Sequence, residues 1–230
     1  MKTALAIFVK TPGLSPVKTR LAQTIGVELA TEFYRQSVQV TATVVQMAKE
    51  KSNSELCPYW AVAEKQAVND DFWTDFPTIY TGEGGLGERM NQIYCTLLKK
   101  HEAVILIGAD APQITPGIIR ATISGLRDGY DFVIGPASDG GFYLFAGRSE
   151  IATAAWTNVT YSAEATLQQF KAGLPSQNIL FLGELTDVDS WSDLQKLKSD
   201  LFHSEIACHK NLLNWLNCTF SNYPASTGVQ

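Results

Sequence analysis

Short apolar runs and longer amphipathic stretches alternate along the chain. Residues 3–9 (TALAIFV) are apolar almost throughout, with β-branched and aromatic members, the pattern of a strand covered on both faces. PYWAVA at 58–63, PTIYT at 77–81, AVILIGAD at 103–110 and NILFLG at 178–183 read as further strands. DFVIGPASDGGFYLFAG at 131–147 reads as two strands around a Gly-rich turn. Between these runs the apolar residues recur at helical spacing. The spacing predicts a helix over 19–50 that breaks at Gly26, and another over 87–100 with Met90, Ile93 and Leu97 on one side. A helix over 115–129 has Thr115 as its N-cap, Pro116 at its first position and Gly129 as its stop. Two more are predicted over 162–173 and onward from Ser190, a candidate N-cap. This alternation predicts an α/β protein with a mixed, mainly parallel sheet in a Rossmann-like three-layer arrangement. One domain over residues 1–220 and a flexible tail over 221–230 are expected.

Composition narrows the classes. The chain has 230 residues, enough to bury a sizeable core, and a net charge of −5 that argues against nucleic-acid binding. No apolar run approaches the roughly 18 residues of a membrane span. The four cysteines are far apart and show no CxxC spacing, which fits idle thiols in a reducing cytoplasm. His203, Cys208 and His209 are too irregularly spaced for a metal site on one helix face. With three histidines in all, no Ser-His-Asp or Cys-His arrangement can be assembled, so covalent catalysis is disfavoured.

In α/β sheets ligands bind beyond the carboxyl ends of the strands, so the polar residues there carry the functional reading. After the first strand, KTPGLSPVKTR holds Lys10, Lys18 and Arg20, a cation cluster suited to phosphate in an otherwise acidic chain. TGEGGLGERM contributes Gly84, Gly85, Gly87 and Arg89, a Gly-rich loop able to border a nucleotide. The spacing Gly82-x-Gly84-x-x-Gly87 also matches the dinucleotide fingerprint, with Asp110 downstream, and this leaves open an NAD- or flavin-dependent oxidoreductase. Asp110 ends the most apolar strand, and Asp139, followed by Gly140 and Gly141, lies in the turn of the two-strand segment. Asp187 and Asp189 stand at alternate positions and face one way if the segment is extended. Cations at one strand end and carboxylates at three others suit a polyphosphate with Mg²⁺ or Mn²⁺. A non-catalytic nucleotide-binding protein is the other alternative.

FVKTPGLSPVKTRLA, GEGGLGERM, GADAP, GPASDGGFYL and DVDSWSDL, in this order, resemble a bacterial family of GT-A-type glycosyltransferase-like proteins. This is the DUF2064 or selenodomain-associated transferase family, within the nucleotide-diphospho-sugar transferase superfamily. The likeness spans about residues 3–200. It is similar also to the phospholactate guanylyltransferases. The resemblance implies a GT-A fold and a transferase that uses an NDP-sugar or an NTP with Mg²⁺ or Mn²⁺ and an unknown small-molecule acceptor. By that likeness Lys18 and Arg20 hold phosphates, Asp110, Asp187 and Asp189 are metal ligands, and Gly84 to Arg89 border the nucleotide. The turn from Asp139 to Gly141 borders the acceptor. Asp110, Asp139 and Lys18 are the expected catalytic groups, with Lys10 offsetting phosphate charge beside them. GADAP carries a single Asp where glycosyltransferases of this fold usually have DxD, and the GGxSxRM loop of nucleotidyltransferases is missing. Residues 201–220 extend beyond the family core and are expected to pack back on the sheet or to form a contact in a homodimer.

Overall fold

In the structure, a computed structural model that describes residues 1–52, 55–221 and 223, strand β1 (Thr3–Val9) serves two cores at once. Leu5, Ile7 and Val9 point into one layer and Ala4 and Ala6 into the other, the period-2 alternation of a strand buried on both faces. β1 pairs in parallel with β2 (Leu56–Val62) on one side and with β4 (Ala103–Gly108) on the other. The short β3 (Thr78–Tyr80) extends the sheet beyond β2. On the far side β6 (Phe142–Gly147) runs antiparallel to both β4 and β5 (Phe132–Pro136), and β7 (Ile179–Phe181) lies parallel to β5. The order is β3-β2-β1-β4-β6-β5-β7.

Helices cover both faces. α1 (Thr19–Ile25), α2 (Val27–Glu50), α4 (Pro116–Arg127), α7 (Trp191–Phe202) and α8 (Ala207–Thr219) bury their apolar sides on one face. α3 (Leu86–Leu98), α5 (Thr153–Thr157) and α6 (Thr166–Gly173) cover the other with an aromatic core of Tyr94, Phe145, Trp156 and Phe170. The expected break at Gly26 separates α1 from α2, where the backbone takes φ +86°. Thr115 caps α4 by accepting the Ile118 N–H, and Ser190 opens α7 in a reciprocal capping box with Asp193.

One expected element is corrected and two stretches are completed. The helix foreseen over 162–173 begins only at Thr166; residues 162–165 form a loop in which Ser162 adopts φ +58°. Its start is set by the Thr166 hydroxyl, which accepts the Ala163 N–H at 3.1 Å. α5 was not foreseen, because its five residues are too few to show a period. Within the 201–220 stretch, Leu201 and Phe202 end α7, and Ala207–Thr219 form α8, which packs back against α2 and α7 of the same chain. Leu212 and Leu216 are fully buried there, each a contribution of roughly 1.5–3 kcal/mol. His209 donates from Nε2 to the Ile114 carbonyl at 3.1 Å and accepts from Ser204, which commits both ring nitrogens to the packing of this helix. Of the expected tail, residues 222 and 224–230 lie outside the described residues.

The connections set the site. From β1 the chain moves outward through β2 to β3, then returns to place β4 on β1's other side. The sheet order therefore reverses between β1 and β4, and a crevice opens at their carboxyl ends.

Candidate active site

The loop leaving β1 is anchored from three directions. The Tyr34 hydroxyl accepts the Lys10 N–H at 2.9 Å and donates to the Lys10 carbonyl at 3.0 Å. Glu64 accepts the Thr11 N–H at 2.8 Å, and the Trp73 indole donates to the Thr11 hydroxyl at 3.3 Å. Tyr34, Glu64 and Trp73 come from distant parts of the chain, and nothing in the loop's own sequence announces them. The loop ends at Lys18 in the left-handed conformation, φ 49° and ψ 43°, uncommon for a residue with a side chain. This turn sends the Lys18 side chain inward, where it is only 2% exposed.

There the ammonium meets carboxylates from two other parts of the chain. Lys18 Nζ lies 2.5 Å from Asp110 Oδ1, at the end of β4, and 3.3 Å from Asp189 Oδ1. The second oxygen of Asp189 pairs with Arg20. Asp187 and Asp189 belong to an extended segment that continues the sheet past β5: Leu185 donates to the Pro136 carbonyl, and Val188 donates to the Asp110 carbonyl at 2.9 Å. Val188 is buried, so its two neighbours both face the crevice, as their alternate spacing predicts.

The electrostatics follow from this crowding. Burial alone would lower the Lys18 ammonium, but the Asp110 and Asp189 carboxylates outweigh it and hold the pKa above its usual value. For Asp189 burial pushes upward, yet Lys18 and Arg20 prevail and keep its carboxyl below the usual range. For Asp187 the opposing Lys18 charge is outweighed. Burial first, then the charges of Asp110 and Asp139, push it up to about 7.

This last shift predicts a pH-dependent cost. Below the unfolded value of 3.8 both states carry the proton; as pH rises toward 7 the folded state must hold a proton that the unfolded state has lost. Stability from this group is thus full at low pH and gone above pH 7. Asp187→Asn, which stays neutral, is expected to be more stable than the parent by about 1–3 kcal/mol at pH 8 in EDTA, and no more stable at pH 4. Urea denaturation at the two pH values measures this, and an equal effect at both would overturn the assignment.

Two clefts meet at Asp110. The larger, about 730 Å³, is lined by Lys10, Lys18, Arg20, Gly84, Arg89 and Asp189, among others, which gathers most of the sequence-predicted phosphate and nucleotide residues. The smaller, about 200 Å³, contains Asp110 and Asp187. Gly85 and Gly87 do not line either cleft. Gly85 is the N-cap of α3, and a Cβ on Gly87 would come 2.2 Å from the Trp156 carbonyl, so Gly87 lets α3 approach α5. Arg89 is internally engaged: it donates to the carbonyls of Gly84 and Ala63 and to the Thr81 hydroxyl. Asp139 is exposed and accepts the Gly141 N–H at 2.9 Å, capping its own turn. A Cβ on Gly140 would strike the Glu164 backbone at 2.2 Å, so this glycine fits the β5–β6 turn against the loop before α6. The first helix turn of α3 follows β3, an outer strand separated from β4 by β2 and β1. In a dinucleotide fold the acidic partner ends the strand beside the glycine loop, and Asp110 does not.

Among the described residues no group of three or more His, Cys, Asp or Glu forms a ready metal cage. Asp189 has both oxygens committed to cations, whereas Asp110 Oδ2 and the Asp187 carboxyl remain available. Two hard oxygen donors beside a cationic cleft fit Mg²⁺ or Mn²⁺, because such ions commonly take one or two protein carboxylates and complete their shell with phosphate and water.

The sheet order and the crevice at its switch point define an α/β protein of the nucleotide-diphospho-sugar transferase fold, and comparisons of structure agree. A provisionally named nucleotide-diphospho-sugar transferase from Desulfovibrio desulfuricans G20 superposes with a TM-score of 0.78 at 22% identity, over 96% of this chain and 98% of that one. A 4-diphosphocytidyl-2C-methyl-D-erythritol synthase from Anaerococcus prevotii DSM 20548 gives 0.54 at 10% identity, over 94% and 96%. A cytidylyltransferase from Leptospira borgpetersenii serovar Hardjo-bovis (strain JB197) gives 0.51 at 11% identity over the whole of both chains. Residues 42–163, more than half of the chain, match the family described as "Uncharacterized protein conserved in bacteria (DUF2064)", and the protein belongs to that family. A search of curated proteins returned no match. No helix among the described residues is long and apolar enough to cross a membrane.

Proposed function

We propose that the protein is a metal-assisted transferase that takes its group from an activated nucleotide and passes it to a small-molecule acceptor. The observation that carries this reading is the buried Lys18 ammonium, held between Asp110 and Asp189 at the sheet's switch point and opening onto a cleft with Lys10 and Arg20. Lys10, Lys18, Arg20 and Arg89 line that cleft with Asp110 and Asp189, and Asp187 lines the smaller one, so the carboxylates offset part of the positive charge. Mg²⁺ or Mn²⁺ held by Asp110 and Asp187 would neutralise phosphate oxygens and stabilise charge on the leaving group. Lys10, Lys18 and Arg20 then border the same phosphates, with Arg20, 68% exposed, free to move onto them.

The chemistry needs no protein nucleophile. The acceptor hydroxyl oxygen forms a bond to the transferred carbon or phosphorus, and the bond from that atom to the departing phosphate oxygen breaks with its electron pair staying on the phosphate. The hydroxyl proton passes to solvent or to Asp139, the exposed carboxylate of the β5–β6 turn whose charge helps to raise the Asp187 pKa.

The fold is shared by proteins named for sugar-nucleotide and for cytidylyl chemistry, and one experiment separates the two donors. A thermal-shift panel would compare the four NTPs, common NDP-sugars and NAD(H), each with Mg²⁺, with Mn²⁺ and with EDTA. A donor at about 100 times its dissociation constant should stabilise by roughly 2.7 kcal/mol, a clear rise in melting temperature. We expect a shift that requires metal and favours one donor class. A shift with NAD(H) alone, indifferent to metal, or no shift with any nucleotide, would overturn the reading.

A further inference from the structure

The smaller cleft has a chemistry of its own. Its walls are Phe8 at the end of β1, Leu86 and Met90 on α3, and Phe142 at the start of β6. Phe142 is stacked on Phe170 at 5.0 Å between ring centres, so that wall is fixed by packing beneath it. Phe8, Leu86 and Asp110 border both clefts, which makes the two continuous along one edge. The Tyr143 hydroxyl beside it already donates to the Gly183 carbonyl at 3.0 Å, so its proton is not available to an anion. Among the described residues, the only charged side chains lining this cleft are Asp110 and Asp187, and both are acidic.

From these walls we infer that the acceptor is a small hydroxyl compound with an apolar or aromatic body and no negative charge. This rests on the transferase reading above and deepens it. A phosphate or carboxylate entering the cleft would meet two carboxylates, and the neighbouring cation, Lys18, lines the other cleft and is already engaged by Asp110 and Asp189. A divalent ion held there would cancel those two charges and be shared with the donor phosphates, leaving no cation for an acidic acceptor. A polyol with hydroxyls all around would bury several of them against phenylalanine and methionine, unpaired and at a cost. A compound with one hydroxyl end and one apolar end satisfies both regions. Its body lies between Phe8, Met90 and Phe142, and its hydroxyl lies at the Asp110 edge, facing the donor. The volume, about 200 Å³, is that of about seven waters at roughly 30 Å³ each, which suits a single ring with a short substituent. By this reading the acceptor occupies the floor just past the turn at Asp139 to Gly141, rather than the turn's glycines.

The test uses the full chain and two probes that differ in one group, benzyl alcohol and benzyl phosphate. Binding is read by saturation-transfer NMR at millimolar concentration, with Mg²⁺ present. We expect the alcohol to bind, the phosphate to bind at least about tenfold more weakly, and the alcohol signal to vanish in Met90→Trp, whose indole fills the cleft. Met90 is largely buried, so Leu86→Trp, from a side chain 47% exposed at the mouth, serves if the first variant does not fold. Equal or tighter binding of benzyl phosphate, no binding of the alcohol, or an alcohol signal unchanged in a folded tryptophan variant would overturn the inference. The nucleotide panel on the same samples keeps the two readings apart. Donor binding with the wrong probe preference removes only the acceptor class. The expected probe preference without any donor binding removes the transferase reading and the acceptor role, and leaves only the cleft's preference for an uncharged hydroxyl compound.

Discussion

Replacing Lys18 by methionine is expected to destabilise the protein by about 2–3 kcal/mol and to lower its melting temperature by roughly 5–10 °C. Methionine keeps most of the volume and the apolar stem, so the change isolates the ammonium. Without it, Asp110 and Asp189 lose their shared counter-ion, and Asp187 loses the one cation that opposes its rise in pKa. Removing one partner of a fully buried pair costs more, typically 3–5 kcal/mol; here Asp110 and Asp189 are 49% and 36% exposed, and water takes up part of the loss. The accompanying effect is specific. Mg²⁺ should restore part of the lost stability in the variant and add less to the parent, because only the variant has uncompensated carboxylates. Thermal unfolding in EDTA and in millimolar Mg²⁺ measures both, and an unchanged midpoint in EDTA would mean that Lys18 is not the internal counter-ion of this site.

Asp110→Asn is expected to act on the ligand more than on the fold. The side chain is half-exposed and the substitution is isosteric, while the Asp110 carbonyl that accepts the Val188 N–H is untouched. Loss of a hard oxygen ligand should weaken metal-dependent nucleotide binding by at least about 100-fold, since even groups that only support a metal ligand commonly cost 10- to 100-fold. Metal-free binding should hold or improve, because Lys18 loses a competing carboxylate and can turn to phosphate. Calorimetric titration of the preferred nucleotide with Mg²⁺ and with EDTA reads the two arms. Equal losses in both would show that Asp110 acts by shaping the cleft, and an unchanged affinity with Mg²⁺ would remove it from the metal site.

Much of this fold can be read directly from the residues. β1 and β4 announce themselves because a strand covered on both faces has no polar position to interrupt the apolar run, and α4 and α7 because Thr115 and Ser190 cap them by local geometry. The strand ends that carry Lys18, Asp110 and Asp189 follow from the general place of ligands in such sheets. Their relationship does not. The sequence suggests that the cations of the first loop await phosphate; in the folded chain Lys18 and Arg20 answer carboxylates more than 90 residues away, and no local pattern records a pairing at that separation. The smaller cleft is hidden for the same reason. Phe8, Leu86, Met90 and Phe142 each look like ordinary core positions of their own element, and only the sheet order brings them around one space. Gly87 and Gly140 show the reverse error: a glycine-rich motif suggests a ligand, and the neighbour that needs the room is another stretch of backbone.

The bond from the Val188 N–H to the Asp110 carbonyl, and the contact of Lys18 with Asp189, 171 residues away, have a consequence for how the molecule is made. Among the described residues, all seven strands are complete by Phe181, before either Asp187 or Asp189 has entered the chain order. A nascent chain emerging from its N-terminus can therefore assemble the whole sheet while the crevice still lacks half its carboxylates. Closing so long a loop comes late, when most of the entropy has already been surrendered to the sheet. Chains cut short in synthesis would carry the scaffold and the cationic loop without the acidic segment, so the acidic side of the crevice is completed only with the last quarter of the polypeptide.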